Sequence, residues 1–285
     1  MHFVNPFKAL RPTTEHAFQV AIPSIDYLTE DITRDQVKNN PWSYLNVFNA
    51  ENSSKAKQQF ELMKKKSILS KDKQSYFYLY RISNKNSTQI GVVGTAKLSS
   101  YHDFNIRGHE DIFLKLAETR LKQMDNLNAQ IGPIYGVCPD SEDLTNLMNK
   151  EIVKSPIYSF DALDQCKHEM WIIEEEDKIN EIGNLFDSIK RIYIADGHHR
   201  MEALLKLSET KKQQNKNHTG NEPYNFFMVA VFPKSQVTIG STSSAPQIEN
   251  VISVADKRQT MPPKSTWFDP KPLDGLVAFD FNELD

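Results

Sequence analysis

Apolar residues recur along the chain with two spacings, one typical of helices and the other typical of strands. After Asn52, Phe60 and Met63 share one helical face while lysines lie opposite, which predicts an amphipathic helix. In residues 76–81, tyrosines alternate with other large residues, which predicts a strand that is covered on both faces. After a polar turn, residues 90–98 form the predicted second strand of a hairpin.

Further runs with these spacings extend the pattern along the chain. Helical spacing predicts helices over residues 29–40, 112–124, 140–152, 177–189 and 248–255, and another from residue 201 onward. Short apolar runs predict strands at residues 134–137, 168–173, 191–195 and 224–232. We expect residues 211–220 to form a polar surface loop. This order of elements predicts a mixed α/β fold with a mixed sheet and flanking helices.

The C-terminal part of the chain differs in character from the rest. Residues 240–246 read GSTSSAP and consist mostly of small polar residues, which is typical of a linker. Residues 261–268 contain too much proline for a helix and too many aromatic side chains for a free tail. We therefore expect an α/β body over residues 1–239, a linker over 240–247 and a packed C-terminal segment over 248–285.

Composition excludes several classes of protein. Of the 285 residues, 39% are apolar and 25% are charged, as expected of a folded soluble protein. The net charge of −3 offers no basic surface for nucleic acid, and no apolar run approaches the roughly 20 residues that cross a membrane. The first residues lack the pattern of a signal peptide. Cys138 and Cys166 have no disulfide or metal-ligand spacing, so we expect buried thiols and a cytoplasmic protein.

The clearest chemistry lies where the predicted strand 191–195 runs into the following helix. A helix N-terminus attracts anions because its first backbone N–H groups lack partners. Gly197 permits a tight turn and the close approach of a ligand, and Arg200 can bind a phosphate through two parallel hydrogen bonds. His198 and His199 add further donors. These residues predict a site for a small anionic ligand. The sequence makes no prediction of the oligomeric state.

Two other interpretations of this junction stay open. Asp196 can serve only as a helix cap and Gly197 only as a turn residue, which would make the junction purely structural. His199 and Glu202 have a spacing that occurs in zinc sites, but a third ligand would have to come from elsewhere. His109 or Glu110 would be that ligand. We expect no tightly bound metal, and a Mg²⁺ ion carried by phosphates instead.

Short motifs throughout the chain resemble those of a known family. They lie at residues 6–12, 20–26, 40–45, 107–110, 120, 132–135, 195–200, 218–227 and 261–268. The box at residues 195–200, which reads ADGHHR, and residues 261–268, which read MPPKSTWF, are the most specific of them. The chain thereby resembles a bacterial family of unknown function with an ADGHHR box, which is similar in turn to the ParB/sulfiredoxin-like proteins and their free-serine kinases.

The resemblance implies a ParB/sulfiredoxin-like core and phosphoryl transfer to a small hydroxylated metabolite. Free-serine kinases convert L-serine to O-phosphoserine with ATP, ADP or pyrophosphate as the donor, and Mg²⁺ accompanies the donor. The expected catalytic residues are Glu110 or Asp196, which would orient or deprotonate the acceptor, and His109, which would stabilise charge.

The resemblance also implies which residues bind the ligands. The expected phosphate-binding residues are Gly197, His198, His199, Arg200 and Arg107. The expected substrate-binding residues are Asp26, Arg120, Lys264, Ser265 and Thr266. For Lys264, Ser265 and Thr266, packing of the C-terminal segment is an equally good interpretation.

The chain differs from the usual family pattern in two ways. Family members are usually longer, and the extra residues would lie where residues 240–246 form the predicted linker. Ile112 and Phe113 stand where members usually carry a threonine and a basic residue. These differences favour an alternative function, in which the shortened protein binds a nucleotide or phosphate without transferring it. Nucleic-acid binding, by analogy with ParB, is disfavoured by the acidic charge balance.

Overall fold

The computed structural model describes residues 1–23, 28–48, 52–238, 248–262 and 268–282. Its helices are α1 (Ala17–Val20), α2 (Glu30–Asn39), α3 (Leu45–Phe48), α4 (Ser53–Lys65), α5 (Ser99–His102), α6 (Leu114–Leu127), α7 (Glu142–Glu151), α8 (Glu176–Ile189), α9 (His198–Gln214) and α10 (Ile248–Asp256). Side chains cap three of them: Thr29, Asn52 and Ser141 each accept a backbone N–H at the starts of α2, α4 and α7.

Most of the strands join one large sheet. The strands are β1 (Leu10–Pro12), β2 (Leu69–Lys71), β3 (Phe77–Ser83), β4 (Thr88–Lys97), β5 (Ile106–Arg107), β6 (Ala129–Ile131), β7 (Ile134–Cys138), β8 (Tyr158–Asp161), β9 (Lys167–Ile173), β10 (Ile192–Asp196), β11 (Phe226–Pro233) and β12 (Ala278–Asp280). The large sheet has the order β5-β10-β7-β11-β4-β3-β9-β8. Its β5–β10 and β7–β11 pairs are parallel and the others are antiparallel, so the sheet is mixed.

The large sheet is covered on both faces, as the aromatic and apolar content of its strands requires. On one face, Leu79 and Val229 belong to the same buried cluster as Leu204 of α9. On the other face, Tyr80 belongs to a buried cluster that includes Leu276 from the C-terminal segment. All eight residues of β11 are buried, which places this strand at the centre of the core.

A smaller antiparallel sheet, with the order β2-β1-β12-β6, brings distant parts of the chain together. Ala278 in β12 pairs with Leu10 on one side and with Ile131 on the other. The C-terminal segment therefore crosses the body, and on its way Lys271 reaches Asp196 at the end of β10.

The structure confirms the predicted mixed α/β class with mixed sheets and flanking helices. Several predicted boundaries were wrong, among them the end of α6, which lies at Leu127 rather than at residue 124. Helix α9 begins at His198 rather than at residue 201, because Gly197 alone makes the turn. The same helix continues to Gln214, so residues 211–214 are helical rather than part of a loop.

Some predictions fall on residues whose structure is not described. The linker predicted at residues 240–247 lies outside the described ranges. On its C-terminal side, two described residues, Val251 of α10 and Phe268, are buried in the core. Across the described ranges, every helix is too short or too polar to traverse a lipid bilayer.

Candidate functional site

The candidate site is built around the junction between β10 and α9. The pairing of β10 with β7 shifts register between Ile194 and Asp196, so Ala195 forms a bulge and Asp196 pairs with Tyr135. Gly197 follows with φ +99°, a left-handed conformation that favours glycine, and His198 is already the first residue of α9. Gly197 alone therefore connects the buried strand β10 to helix α9, and the N-terminus of α9 lies close to Asp196, the last residue of the strand.

A second helix begins at the same place. Helix α6 packs against α9, and the backbone N–H of Phe113, just before α6, donates to Nε2 of His199 over 3.0 Å. Within the described residues, neither helix has a side-chain cap or an acidic residue in its first turn. In contrast, α2, α7 and α8 each carry two acidic residues there. Two positively polarised helix ends therefore meet without a negative side chain in either first turn.

His198 is buried between the junction and the segment before α6. Its Nε2 accepts the backbone N–H of His109 over 3.2 Å, and its Nδ1 lies 3.2 Å from Oε2 of Glu110. Since Nε2 accepts a hydrogen bond, a neutral His198 ring carries its proton on Nδ1, facing the Glu110 carboxylate. Nδ1 and Oε2 lie within ion-pair distance but do not form an aligned hydrogen bond, and the Glu110 side chain is 13% exposed.

His109 lies beside His198 and is fully buried. The two rings meet edge to face, with their centroids 4.6 Å apart. Burial, together with the nearby His198, lowers the pKa of His109 to about 4. At neutral pH His109 is therefore uncharged, so it can support the site through packing and hydrogen bonding rather than through a positive charge.

His199 is the second residue of α9, and its Nε2 accepts the backbone N–H of Phe113. Its ring lies nearly parallel to the Phe113 ring, at an angle of 11° and a centroid distance of 6.0 Å. Burial lowers the pKa of His199, the nearby His198 acts in the same direction, and Glu110 opposes them. The ring is therefore a neutral group that retains Nδ1–H as its donor.

Asp196 is held by two cations. Nζ of Lys271 lies 3.0 Å from its Oδ1, and Nη2 of Arg200 lies 3.5 Å from its Oδ2. Burial acts to raise the pKa of Asp196, but Lys271 and Arg200 outweigh it, so this pKa lies below its usual value. One-third of the side chain is exposed. Asp196 is thus an ionised carboxylate that faces the site.

Arg200 links the junction to the C-terminal segment. Its Nη1 donates to the carbonyl oxygen of Pro133 and to Oδ1 of Asp274, both over 3.0 Å. Gly132 makes this contact possible: a Cβ there would lie 1.7 Å from Asp274 Oδ1 and 2.8 Å from Arg200 Nη1. Because an arginine has five N–H donors, Arg200 keeps its Nε and Nη2 edge for other acceptors, apart from the long contact to Asp196.

Buried polar groups of the large sheet hold the C-terminal strap, residues 268–274. Nε2 of Gln89 donates to the carbonyl oxygen of Pro270 over 2.6 Å, and Tyr135 donates to Oε1 of the same glutamine. The backbone N–H of Leu273 donates to the Tyr80 hydroxyl over 3.0 Å. These bonds hold the strap on the sheet at Pro270 and Leu273. They thereby position Lys271 and Asp274, the two strap residues that contact the junction.

A small cavity, with room for about one water molecule, lies beside Arg200 and Asp274. Apolar side chains and two polar ones form the rest of its wall: Phe48, Met124, Leu127, Ala129, Ile131, Arg120 and Gln123. Arg120 donates to Oε1 of Gln123 over 3.0 Å. The structure therefore brings the predicted substrate residue Arg120 to a cavity that shares a wall with the junction.

Other predicted site residues lie elsewhere or outside the described residues. Arg107 is at the edge of the large sheet, where its guanidinium bonds to Asp256 of α10 and to the carbonyl oxygen of Phe104. The four remaining substrate-binding candidates fall in ranges that the structure does not describe, and they are Asp26, Lys264, Ser265 and Thr266. Lys271 and Asp274 were missed, because no motif or periodic pattern marks them in the sequence.

The arrangement does not build the zinc site considered from the sequence. His199 uses Nε2 for Phe113, and Glu202 pairs with Lys206 over 3.2 Å. Among the described residues, one other trio, Asp164, Cys166 and His168, brings its possible ligand atoms within 4.8 Å of one another. This spatial arrangement was not expected from the sequence.

In that trio, both ring nitrogens of His168 already have partners. Nε2 lies 3.0 Å from Asp164 and Nδ1 lies 2.7 Å from the Tyr80 hydroxyl. Both Cys166 and the second cysteine, Cys138, are buried free thiols, as predicted. Burial raises the pKa of Cys166 to about 12, which keeps the thiol protonated.

Comparison with known proteins identifies the family. The sequence profile of a family described as "Protein of unknown function (DUF1015)" matches residues 4–243, which is most of the chain. Searches of curated proteins and of solved structures return no match.

Proposed function

We propose that this chain, which belongs to the DUF1015 family of proteins of unknown function, transfers a phosphoryl group to a small hydroxylated metabolite. The observation that carries the proposal is the meeting of two uncapped helix N-termini at the hydrogen bond between Phe113 and His199. Each helix end carries roughly half a positive elementary charge, so the two together attract an anion such as phosphate.

The cations near the junction favour a phosphate ligand that arrives with a metal ion. Arg200 and Lys271 are largely compensated by Asp196 and Asp274, so they provide hydrogen bonds more than net charge. Asp196, with its exposed ionised carboxylate, suits a Mg²⁺ ion that the donor phosphates bring. Mg²⁺ would neutralise phosphate charge, and the chain's own residues position the reacting groups.

Glu110 is the better candidate for the general base. Asp196 is kept ionised by its two cations and is a weak proton acceptor, whereas Glu110 lies beside His198 and is partly exposed. In the proposed step, the acceptor hydroxyl oxygen attacks the terminal phosphorus and its proton passes to Glu110. The bond from that phosphorus to the bridging oxygen breaks, releasing ADP from ATP, AMP from ADP, or phosphate from pyrophosphate.

The choice of L-serine as the acceptor rests on the resemblance of the ADGHHR box to the ParB/sulfiredoxin-like free-serine kinases. The alternative is a protein of the same fold that binds the donor without transferring it. In that case the junction binds phosphate, but Glu110 has no hydroxyl to deprotonate.

The test is incubation of the purified protein with Mg²⁺, L-serine and each of ATP, ADP and pyrophosphate. Product is measured as O-phosphoserine, and donor affinity is measured by isothermal titration. We expect product with at least one donor. Glu110→Gln should lower the turnover rate at least about a hundredfold and retain binding. Arg200→Ala should abolish binding, while Glu202→Gln, one turn along α9, should leave both unchanged.

Each of the other outcomes decides between the candidates. Binding without O-phosphoserine in the wild-type protein favours the non-catalytic alternative or another acceptor. Unchanged donor affinity in Arg200→Ala would remove Arg200 from the phosphate site. No binding of any donor would refute the proposed function as a whole.

A further inference from the structure

Exposed apolar side chains lie at the start of α6, next to the junction between β10 and α9. Phe113 is 54% exposed, and the nearby Leu114 and Leu116 are 61% and 47% exposed. Phe113 and Leu116 are three residues apart and share one face of the helix, and exposed apolar side chains that adjoin in this way beside a polar site are typical of a surface that a ligand or partner covers.

The Phe113 ring is held in place before any ligand arrives. Its backbone N–H is bonded to His199, and one face of its ring is turned towards the His199 imidazole at an angle of 11°. A ring that is already ordered loses little conformational entropy when a flat molecule stacks on it. The ring lies against His199, the second residue of α9, so it is adjacent to the amides proposed to bind phosphate.

We propose that the phosphate donor is a nucleotide, and that its base stacks on Phe113 while its phosphates occupy the two helix N-termini. This inference rests on the proposed function. A nucleotide joins a flat aromatic group to an anionic one, which matches an aromatic ring beside two positively polarised helix ends. Pyrophosphate would use the helix ends alone and leave the Phe113 ring exposed.

The experiment compares two ligands that differ only in whether they carry a nucleoside. Mg²⁺–ADP and Mg²⁺–pyrophosphate are each titrated into the full chain, by calorimetry, with the wild type and Phe113→Ala. Phe113→Trp serves as a rescue variant because it keeps a stacking surface. Phe18→Ala is the matched control, since Phe18 is 60% exposed but packs against Phe160 at the opposite edge of the sheet.

We expect Phe113→Ala to weaken ADP binding about tenfold or more, as loss of one base stack predicts. Pyrophosphate affinity should not change, Phe113→Trp should restore ADP binding, and Phe18→Ala should behave as the wild type. Equal losses for both ligands would overturn the inference, because the ring would then act only through His199.

Unchanged ADP affinity in Phe113→Ala would also overturn the inference while leaving the phosphate site intact. If that variant instead dissociated a wild-type oligomer, the apolar surface would belong to a protein interface. Failure of both ligands to bind the wild type would overturn the proposed function and this inference together.

Discussion

Gly197→Ala tests how the junction between β10 and α9 is built. Gly197 has φ +99°, a region where an L-residue costs about 1–2 kcal/mol. A Cβ would lie 3.4 Å from Ile134 Cγ1 and 3.6 Å from Arg200 Nε, which are ordinary contact distances. Because no clash adds to the cost, we expect the free energy of unfolding to fall by about 1–2 kcal/mol from backbone strain alone.

The same substitution should weaken donor binding. A chain that relieves the strain at residue 197 must rotate the first turn of α9, which redirects the amides of residues 198–200. Losing one hydrogen bond to a charged group costs about 1.5–3 kcal/mol, and 1.4 kcal/mol corresponds to tenfold in affinity. We therefore expect at least about tenfold weaker pyrophosphate binding. Urea unfolding and calorimetric titration measure the two effects separately.

Gly220→Ala is the matched control for this prediction. Gly220 has φ +87°, and a Cβ there would meet nothing within 4 Å, so its substitution carries the same strain without a clash. It follows the C-terminus of α9, roughly 25 Å from the junction at 1.5 Å per helical residue. We expect a similar loss of stability and wild-type affinity. The reasoning is refuted if Gly197→Ala binds pyrophosphate as well as Gly220→Ala does.

Two further predictions concern stability. The side chains of Arg200 and Asp274 are only 17% and 16% exposed. Asp274→Asn should therefore lower the free energy of unfolding by about 2 kcal/mol, which is more than breaking an exposed ion pair costs and less than breaking a fully buried one. Glu202→Gln, which breaks a more exposed pair on α9, should cost less than about 0.5 kcal/mol in the same urea experiment, and equal losses would contradict this. Burial lowers the pKa of His109 from 6.5 to about 4, so between these values the unfolded chain binds a proton that the folded chain does not. His109 should therefore lower the free energy of unfolding by about 3 kcal/mol as pH decreases through this range. His109→Asn should remove this contribution and leave that of His199, whose pKa is also lowered, whereas His102→Asn, at an exposed position, should retain both.

Local features of the sequence predicted much of the fold. The caps at Thr29 and Asn52 bond to N–H groups three residues later, so each helix start depends on only a few neighbouring residues. The end of β10 and the turn at Gly197 could be predicted for the same reason. A buried strand, a glycine and a helix follow one another within residues 192–214.

Contacts between distant parts of the chain could not be predicted in this way. Lys271 and Asp274 lie 75 and 74 residues from their partners Asp196 and Arg200, in a segment with no helical or strand periodicity. The short strand β12 exists because it pairs with β1 and β6, rather than because of its own sequence.

The roles of the two histidines also depend on tertiary structure. Their residue type suggested phosphate donors, yet Nε2 of His198 and Nε2 of His199 each accept a backbone N–H from residues 109–113. The donors, His109 and Phe113, lie 89 and 86 residues away in sequence from the histidines that accept their hydrogen bonds. The histidines thus join two helix starts, a role that the ADGHHR box alone does not reveal.

The most direct test of the central claim is to follow backbone amide resonances by NMR while Mg²⁺ and pyrophosphate are added to isotope-labelled protein. If phosphate binds at the two helix N-termini, the largest chemical-shift changes should occur at residues 197–200 and 113–116. The Gly197→Ala protein should show smaller changes at the same concentrations. Saturable binding with unchanged resonances at both helix starts would contradict the account.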